Sequence, residues 1–163
     1  MDRYDYMKKA VELAKEAKIN GEIPVGCVIV KDDTIIATGR NYTQQDKCAI
    51  MHAEIVAIKN AFKVLNSANL SGCDLYVTLE PCPMCAGAII NAKINKVVFG
   101  AFDLNYGACG SAVNLLTLPK MHNAEFYGGI MEDECSKLLT DFFNNLRKRN
   151  HNHPSNGWFA QGL

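Results

Sequence analysis

The sequence carries no surplus of charge: seventeen Lys and Arg balance seventeen Asp and Glu. A protein that grips long nucleic acid through its phosphates carries a basic excess, so any nucleic-acid partner here is met in a local groove. No apolar run approaches the roughly 18 residues that cross a bilayer. Met1-Asp2-Arg3-Tyr4-Asp5 lacks the basic-then-apolar layout of an export signal. There is no internal repeat and no low-complexity segment. Nor is there an even, closely spaced cysteine set, since the seven cysteines (27, 48, 73, 82, 85, 109 and 135) are scattered through apolar surroundings. Buried thiols and metal ligands are expected rather than a disulfide framework, and the expected location is the cytoplasm, away from any membrane. What is present, over 163 residues, is 48% hydrophobic and 21% charged, the make-up of one globular domain with a substantial core.

Periodicity orders the chain. Met7, Ala10, Val11, Ala14 and Ala17 recur at helical spacing over 3–19, and Asn20-Gly21 stops that helix. "VGCVIVKDDTIIATGRN" reads as strands 25–31 and 34–40, joined in a hairpin at Asp32-Asp33. "MHAEIVAIKNAFKVLN" is helical, 74–80 a strand, 82–92 a short helix and 96–102 a strand. A weaker strand is expected at 125–128. A helix at 133–149 is expected to bury Leu138, Leu139, Phe142, Phe143 and Leu146. The fold class predicted is α/β, a three-layer α-β-α sandwich around a mixed central sheet, because an early hairpin rules out a purely parallel one. A single domain is expected over 1–149. Residues 150–163, "NHNHPSNGWFAQGL", have no period and two breakers and read as a disordered tail, with His151 and His153 as decoration or, alternatively, an H-x-H that binds adventitious metal.

The chemistry begins at "TLEPCPMCAGAII". Pro83 suits the first position of a helix, which places Cys82 at its cap and Cys85 a near-turn later on the same side. The unpaired N–H groups of a helix start favour thiolates. Taken alone, such a pair serves a metal or a redox dithiol. "HAE" at 52–54 tips the balance, because a second helix start offers an imidazole and a carboxylate. His52, Cys82 and Cys85 make three ligands for Zn²⁺; structural zinc sites close with four protein ligands, whereas catalytic ones leave a position to water. Cys27, Cys48, Cys73, Cys109 and Cys135 are the candidates for a hidden fourth. Beside an open site, Glu54 is the proton carrier rather than a ligand. The plain alternative for Glu54 is a carboxylate that complements a helix dipole.

At these residues the chain resembles the zinc-dependent cytidine-deaminase-like superfamily, whose H-x-E…P-C-x-x-C signature matches His52-Ala53-Glu54 and Pro81-Cys82-Pro83-Met84-Cys85. The resemblance is longest to bacterial tRNA-specific adenosine deaminases. "GEIPVGCVIV", "GRN", "HAEIVAI", "LYVTLEPCPMCAGAII", "VVFGAFD", "GACGS" and "DFFNNLR" match in order and spacing across roughly residues 4 to 149. It implies zinc on His52, Cys82 and Cys85 and a proton shuttle at Glu54. It also implies a purine contact from Asn41, a base edge held by the backbone of Ala53, pocket walls at Pro24 and Val25, and Asp103 on the loop that meets the sugar. The implied reaction is hydrolytic deamination of adenosine to inosine at the wobble position of a tRNA anticodon loop. The implied assembly is a homodimer, for which Ala86, Gly87, Ala88, Ile89 and Ile90 form a candidate interface, with an ordinary buried helix as the alternative.

The chain departs from the family at Leu104-Asn105-Tyr106 and at His122-Asn123-Ala124, where cationic residues are usual. Arg147-Lys148-Arg149 is a local basic run, and Tyr106 and His122 are candidates to stack on unpaired bases. The departures keep a second reading open, a deaminase of a free nucleobase or nucleoside of the guanine, cytosine or adenosine type. A zinc-stabilised scaffold without catalysis is a third, against which Glu54 argues because scaffolding needs no proton shuttle.

Overall fold

The computed structural model describes residues 2–152. Helix α1 (Arg3–Ile19) opens with a capping box: the Asp2 side chain accepts from the Tyr4 and Asp5 amides, and Asp5 accepts from the Asp2 amide. Strands β1 (Gly26–Lys31) and β2 (Thr34–Arg40) form the expected hairpin. Asp32 and Asp33 both take positive φ, 47° and 56°, the signature of a two-residue turn whose twist matches the strands. The remaining elements are α2 (Ala53–Leu65), β3 (Cys73–Leu79), α3 (Pro83–Ala92), β4 (Lys96–Ala101), β5 (Glu125–Tyr127) and α4 (Glu132–Asn152).

The strands lie in the order β2-β1-β3-β4-β5. Strand β1 is antiparallel to β2 and β3, while β4 runs parallel to both β3 and β5, so the sheet is mixed as the early hairpin required. Alternation along each strand then builds two cores. Cys27, Ile29, Leu75, Val77, Val97 and Phe99 pack with Ala53, Ala57 and Ala61 of α2 and with Ala86, Ile89 and Ile90 of α3. The intervening Val28, Val30, Tyr76 and Val98 pack on the other face with Met7, Ala10 and Val11 of α1 and Cys135 of α4. These are the three layers the sequence predicted.

Close approach of α2 to the sheet depends on Gly39. A Cβ there would stand 2.3 Å from the Ala53 carbonyl oxygen and 2.5 Å from the Ala57 nitrogen, so only a bare backbone lets the helix sit down. Two expectations change. Helix α4 continues through Asn152, so 150–152 are helical rather than tail; His153 and the rest of the tail lie outside the described residues. Among the described side chains of α4, only Cys135 is fully buried. Leu138 and Leu139 pack on the core partly, and Phe142, Phe143 and Leu146 are half-covered, because the contacts of α4 with the sheet are to β3 and β4.

Candidate metal centre and active site

Helices α2 and α3 both begin at one edge of the sheet, and the two predicted ligand groups meet there. His52 is the N-cap of α2 and Cys82 the N-cap of α3, each with extended backbone (ψ 158° and 171°). Neither residue makes a side-chain cap bond to its helix start, and imidazole and sulfur face each other. Pro83 occupies the first turn of α3 as expected, and Cys85 is fully buried behind it. His52 Nδ1 stands 3.6 Å from Cys82 Sγ and 3.5 Å from Cys85 Sγ. Tetrahedral zinc with Zn–N of about 2.05 Å and Zn–S of about 2.3 Å separates nitrogen from sulfur by roughly 3.6 Å, so the donors already have the spacing the ion demands. Ligand atoms of all three residues lie within 4.8 Å of one another. Among the described residues no further His, Cys, Asp or Glu joins the cluster, so Cys27, Cys48, Cys73, Cys109 and Cys135 do not supply a fourth ligand.

The local electrostatics suit a cation. The thiol of Cys82 is held down to about 4, chiefly by the Cys85 thiol donating to it and against the effect of burial. The same contact, with burial added, pushes Cys85 up. Two sulfurs this close share one proton unless a cation lies between them. Glu54 is buried beside them, 4% exposed, and burial lifts its carboxyl to about 7, with the Cys82 charge adding to the rise. A carboxyl poised there both accepts and returns a proton near neutrality, which a dipole-complementing surface glutamate does not.

The other predicted residues surround this cluster through their own bonds. Asn41 is 6% exposed; its Oδ1 accepts from the Ala53 amide at 2.8 Å, and its Nδ2 donates to the Ile23 carbonyl at 3.1 Å. His52 makes no cap of its own, so Asn41 caps α2 from a distance, and the Ala53 amide is already engaged. Pro24 and Val25 are buried in the strap between Ile23 and β1. Asp103 closes a turn, its Oδ1 accepting from the Asn105 and Tyr106 amides. His122 meets the Ile94 carbonyl through Nε2 at 2.7 Å, whereas Leu104 and Tyr106 face outward and Arg147, Lys148 and Arg149 are exposed. Of the candidate interface on α3, Ala86, Ile89 and Ile90 are spent on the chain's own core, and only Gly87 and Ala88 reach the surface in part.

Two residues escaped the sequence reading. Glu22 is fully buried and accepts from the Thr43 hydroxyl and the Gln44 and Gln45 amides. Glu80, 2% exposed, holds the loop after β4. Each is a lone acid in an apolar setting, "GEIPVG" and "TLEPCP", and that isolation was the available signal. A cavity of about 520 Å³ lined by Arg3, Tyr6, Asp33, Asp74, Tyr76 and Lys96, among others, opens at the opposite end of the sheet and contains none of these residues.

Comparison with known proteins agrees with the geometry. A family model for the cytidine and deoxycytidylate deaminase zinc-binding region matches residues 1–101. The tRNA-specific adenosine deaminase of Bacillus subtilis is 46% identical over 145 residues, covering 88% of this chain and 90% of that protein. A solved tRNA:A34 deaminase, studied for A-to-I editing at the wobble position of transfer RNA, superimposes with a TM-score of 0.81. It is 39% identical over 84% of this chain and 100% of its own. A guanine deaminase structure from Bacillus subtilis is also similar, at 32% identity and a TM-score of 0.63, over 91% of this chain and 95% of that one.

Proposed function

The chain belongs to the tRNA-specific adenosine deaminase family, within the zinc-binding cytidine and deoxycytidylate deaminases, and on that premise we propose that it converts adenosine to inosine at the wobble position of a tRNA anticodon loop. The observation that carries the reading is a buried carboxyl, Glu54, beside a three-donor zinc cluster with no fourth protein ligand among the described residues. His52 through Nδ1, with the sulfurs of Cys82 and Cys85, would hold the ion. Zinc, when bound, supplies the Lewis acidity that makes water a nucleophile near neutral pH. Glu54 takes a proton from the attacking water and passes it to the ring nitrogen next to the carbon attacked. The carboxylate then takes the second proton, from the oxygen now bound to that carbon, and passes it to the departing amine as the carbonyl forms and the carbon–nitrogen bond breaks, so that water is consumed and ammonia released.

Burial of Glu54 keeps that proton from leaking to solvent between the two transfers. Asn41 braces the α2 start and the 23–25 strap together, and in this reading its remaining amide hydrogen meets the purine while Pro24 and Val25 wall the base. The Asp103 turn presents the sugar-facing side. An anticodon base is already unpaired, so delivering it to the pocket costs less than extracting one from a duplex, which suits a protein without a basic surplus.

The reading extends to a cytoplasmic homodimer. Seven unpaired cysteines support a reducing compartment, and no described helix is long and apolar enough to cross a membrane. Exposed Met84, Phe102, Leu104 and Met121 offer apolar surface for a second copy in place of Ala86, Ile89 and Ile90. Sedimentation of the purified protein tests the dimer. The activity test is ammonia release and inosine formation from zinc-loaded protein and an anticodon stem-loop carrying A at position 34, run beside adenosine, guanine and cytosine. Turnover of a free base or nucleoside with an inert stem-loop would replace this function with the small-substrate one.

A further inference from the structure

Residues 80–85 do two things at once. Cys82 and Cys85 face His52, while Glu80, two residues earlier, faces away toward the loop that follows β4. Four hydrogen-bond donors converge on its carboxylate. The Asp103 amide and the Ser111 hydroxyl reach Oε2, and the Cys109 and Ser111 amides reach Oε1 at 3.1 Å each. Every contact brings a hydrogen to an oxygen, a pattern a carboxylate satisfies and a carboxamide cannot, since half of its polar atoms are donors. The Ala108 amide adds a bond to the Pro81 carbonyl at 2.8 Å, and the Glu80 amide ties back to the Ala101 carbonyl at 2.9 Å. Gly107 lies flat on the carboxylate, where a Cβ would stand 2.4 Å from Glu80 Cδ. The loop spanning 103–111 is thus wrapped around one buried anion, and its outer side carries Leu104, 79% exposed.

We propose that Glu80 is a positioning residue that fixes the 103–111 loop in register with the zinc centre, and so sets how the nucleotide is gripped rather than how fast it reacts. The proposal deepens the tRNA deaminase reading and rests on it. Glu80 is not a catalytic residue: its oxygens are filled by the loop, and it acts through Asp103 and the backbone that follows. The short path from Glu80 through Pro81 to Cys82 lets one segment space metal and loop together without a rigid element between them.

The test is Glu80→Gln in the full-length, zinc-loaded protein, with Ser111→Ala as the milder variant should the first fail to fold. Gln sets an amide nitrogen against the Asp103 amide or, flipped, against the Cys109 and Ser111 amides, and the stem-loop KM is expected to rise about tenfold or more, with kcat changed by less than about threefold. Zinc content stays at the wild-type value, and amide hydrogen exchange accelerates across 103–111 but not in β1 or β3. Ser111→Ala, which removes one donor, should shift KM and exchange in the same direction by a smaller factor. A kcat collapse with KM unmoved, loss of zinc, or unchanged KM and exchange in the folded variants would each overturn the proposal. Should the wild-type protein leave the stem-loop untouched, the tRNA reading fails, and hydrogen exchange, which needs no substrate, still decides whether Glu80 orders the loop.

Discussion

At the residue scale, the function rests on where protons can go. Burial raises the Glu54 carboxyl to about 7, and the proposed mechanism uses that group to hold a proton at one step and release it at the next. Replacing Glu54 with Ala should lower turnover by about 10²–10⁴-fold, because general acid–base transfer has that worth, while zinc content and the circular dichroism spectrum stay as they were. Survival of activity in that variant would end the mechanism. Removing a ligand acts differently. Cys85→Ala leaves two protein donors where an open catalytic zinc site has three, so bound zinc measured by elemental analysis should fall well below one per chain and activity with it. A strong chelator should do the same to the wild-type protein, and added zinc should restore turnover.

The two helix starts need bracing at the element scale, because the residues at their cap positions face each other in the three-donor cluster instead. His52 and Cys82 occupy cap positions and cap nothing. For α2 the missing bond comes from Asn41, beyond the end of β2, and this bond ties the helix start to that strand end. Asn41→Ala removes it and strands a buried amide, at an expected cost of about 1–2 kcal/mol in urea unfolding. Gly39→Ala tests the same junction from the packing side. The added methyl meets backbone rather than a flexible side chain, so the helix must back away, and a loss of about 1–3 kcal/mol is expected with weakened zinc retention. If Gly39→Ala melts at the wild-type temperature, α2 is not seated as tightly as the geometry states.

Across the whole molecule, charge separates this protein from phosphate-gripping binders. With Lys plus Arg equal to Asp plus Glu, and with no Lys or Arg in Leu104-Asn105-Tyr106 or His122-Asn123-Ala124, few phosphates are expected to be neutralised. A protein making 6–10 phosphate contacts loses about 10³–10⁵ in affinity between 50 and 200 mM salt. Here the stem-loop KM should weaken by less than about tenfold over that range, since about two contacts to a single strand give a factor of that order. A steep salt dependence would mean that a basic surface, such as the exposed Arg147-Lys148-Arg149 run, takes part after all.

Elements, their order, the mixed sheet and the three metal donors were legible in the sequence because each depends on local chemistry. Alternation and helical period report burial, proline reports a helix start, and the spacing in H-x-E…P-C-x-x-C marks three donors that the fold brings together and a carboxyl beside them. Tertiary structure alone decided what depends on neighbours distant along the chain. It took Ala86, Ile89 and Ile90 into the chain's own core, left Phe142, Phe143 and Leu146 half-covered on α4, and turned Asn41 into the cap of a helix it does not belong to. It also gave Glu22 and Glu80 their loops to hold. Periodicity shows which way a side chain faces but not what stands opposite, and a buried acid is explained only by the donors that the fold brings to it.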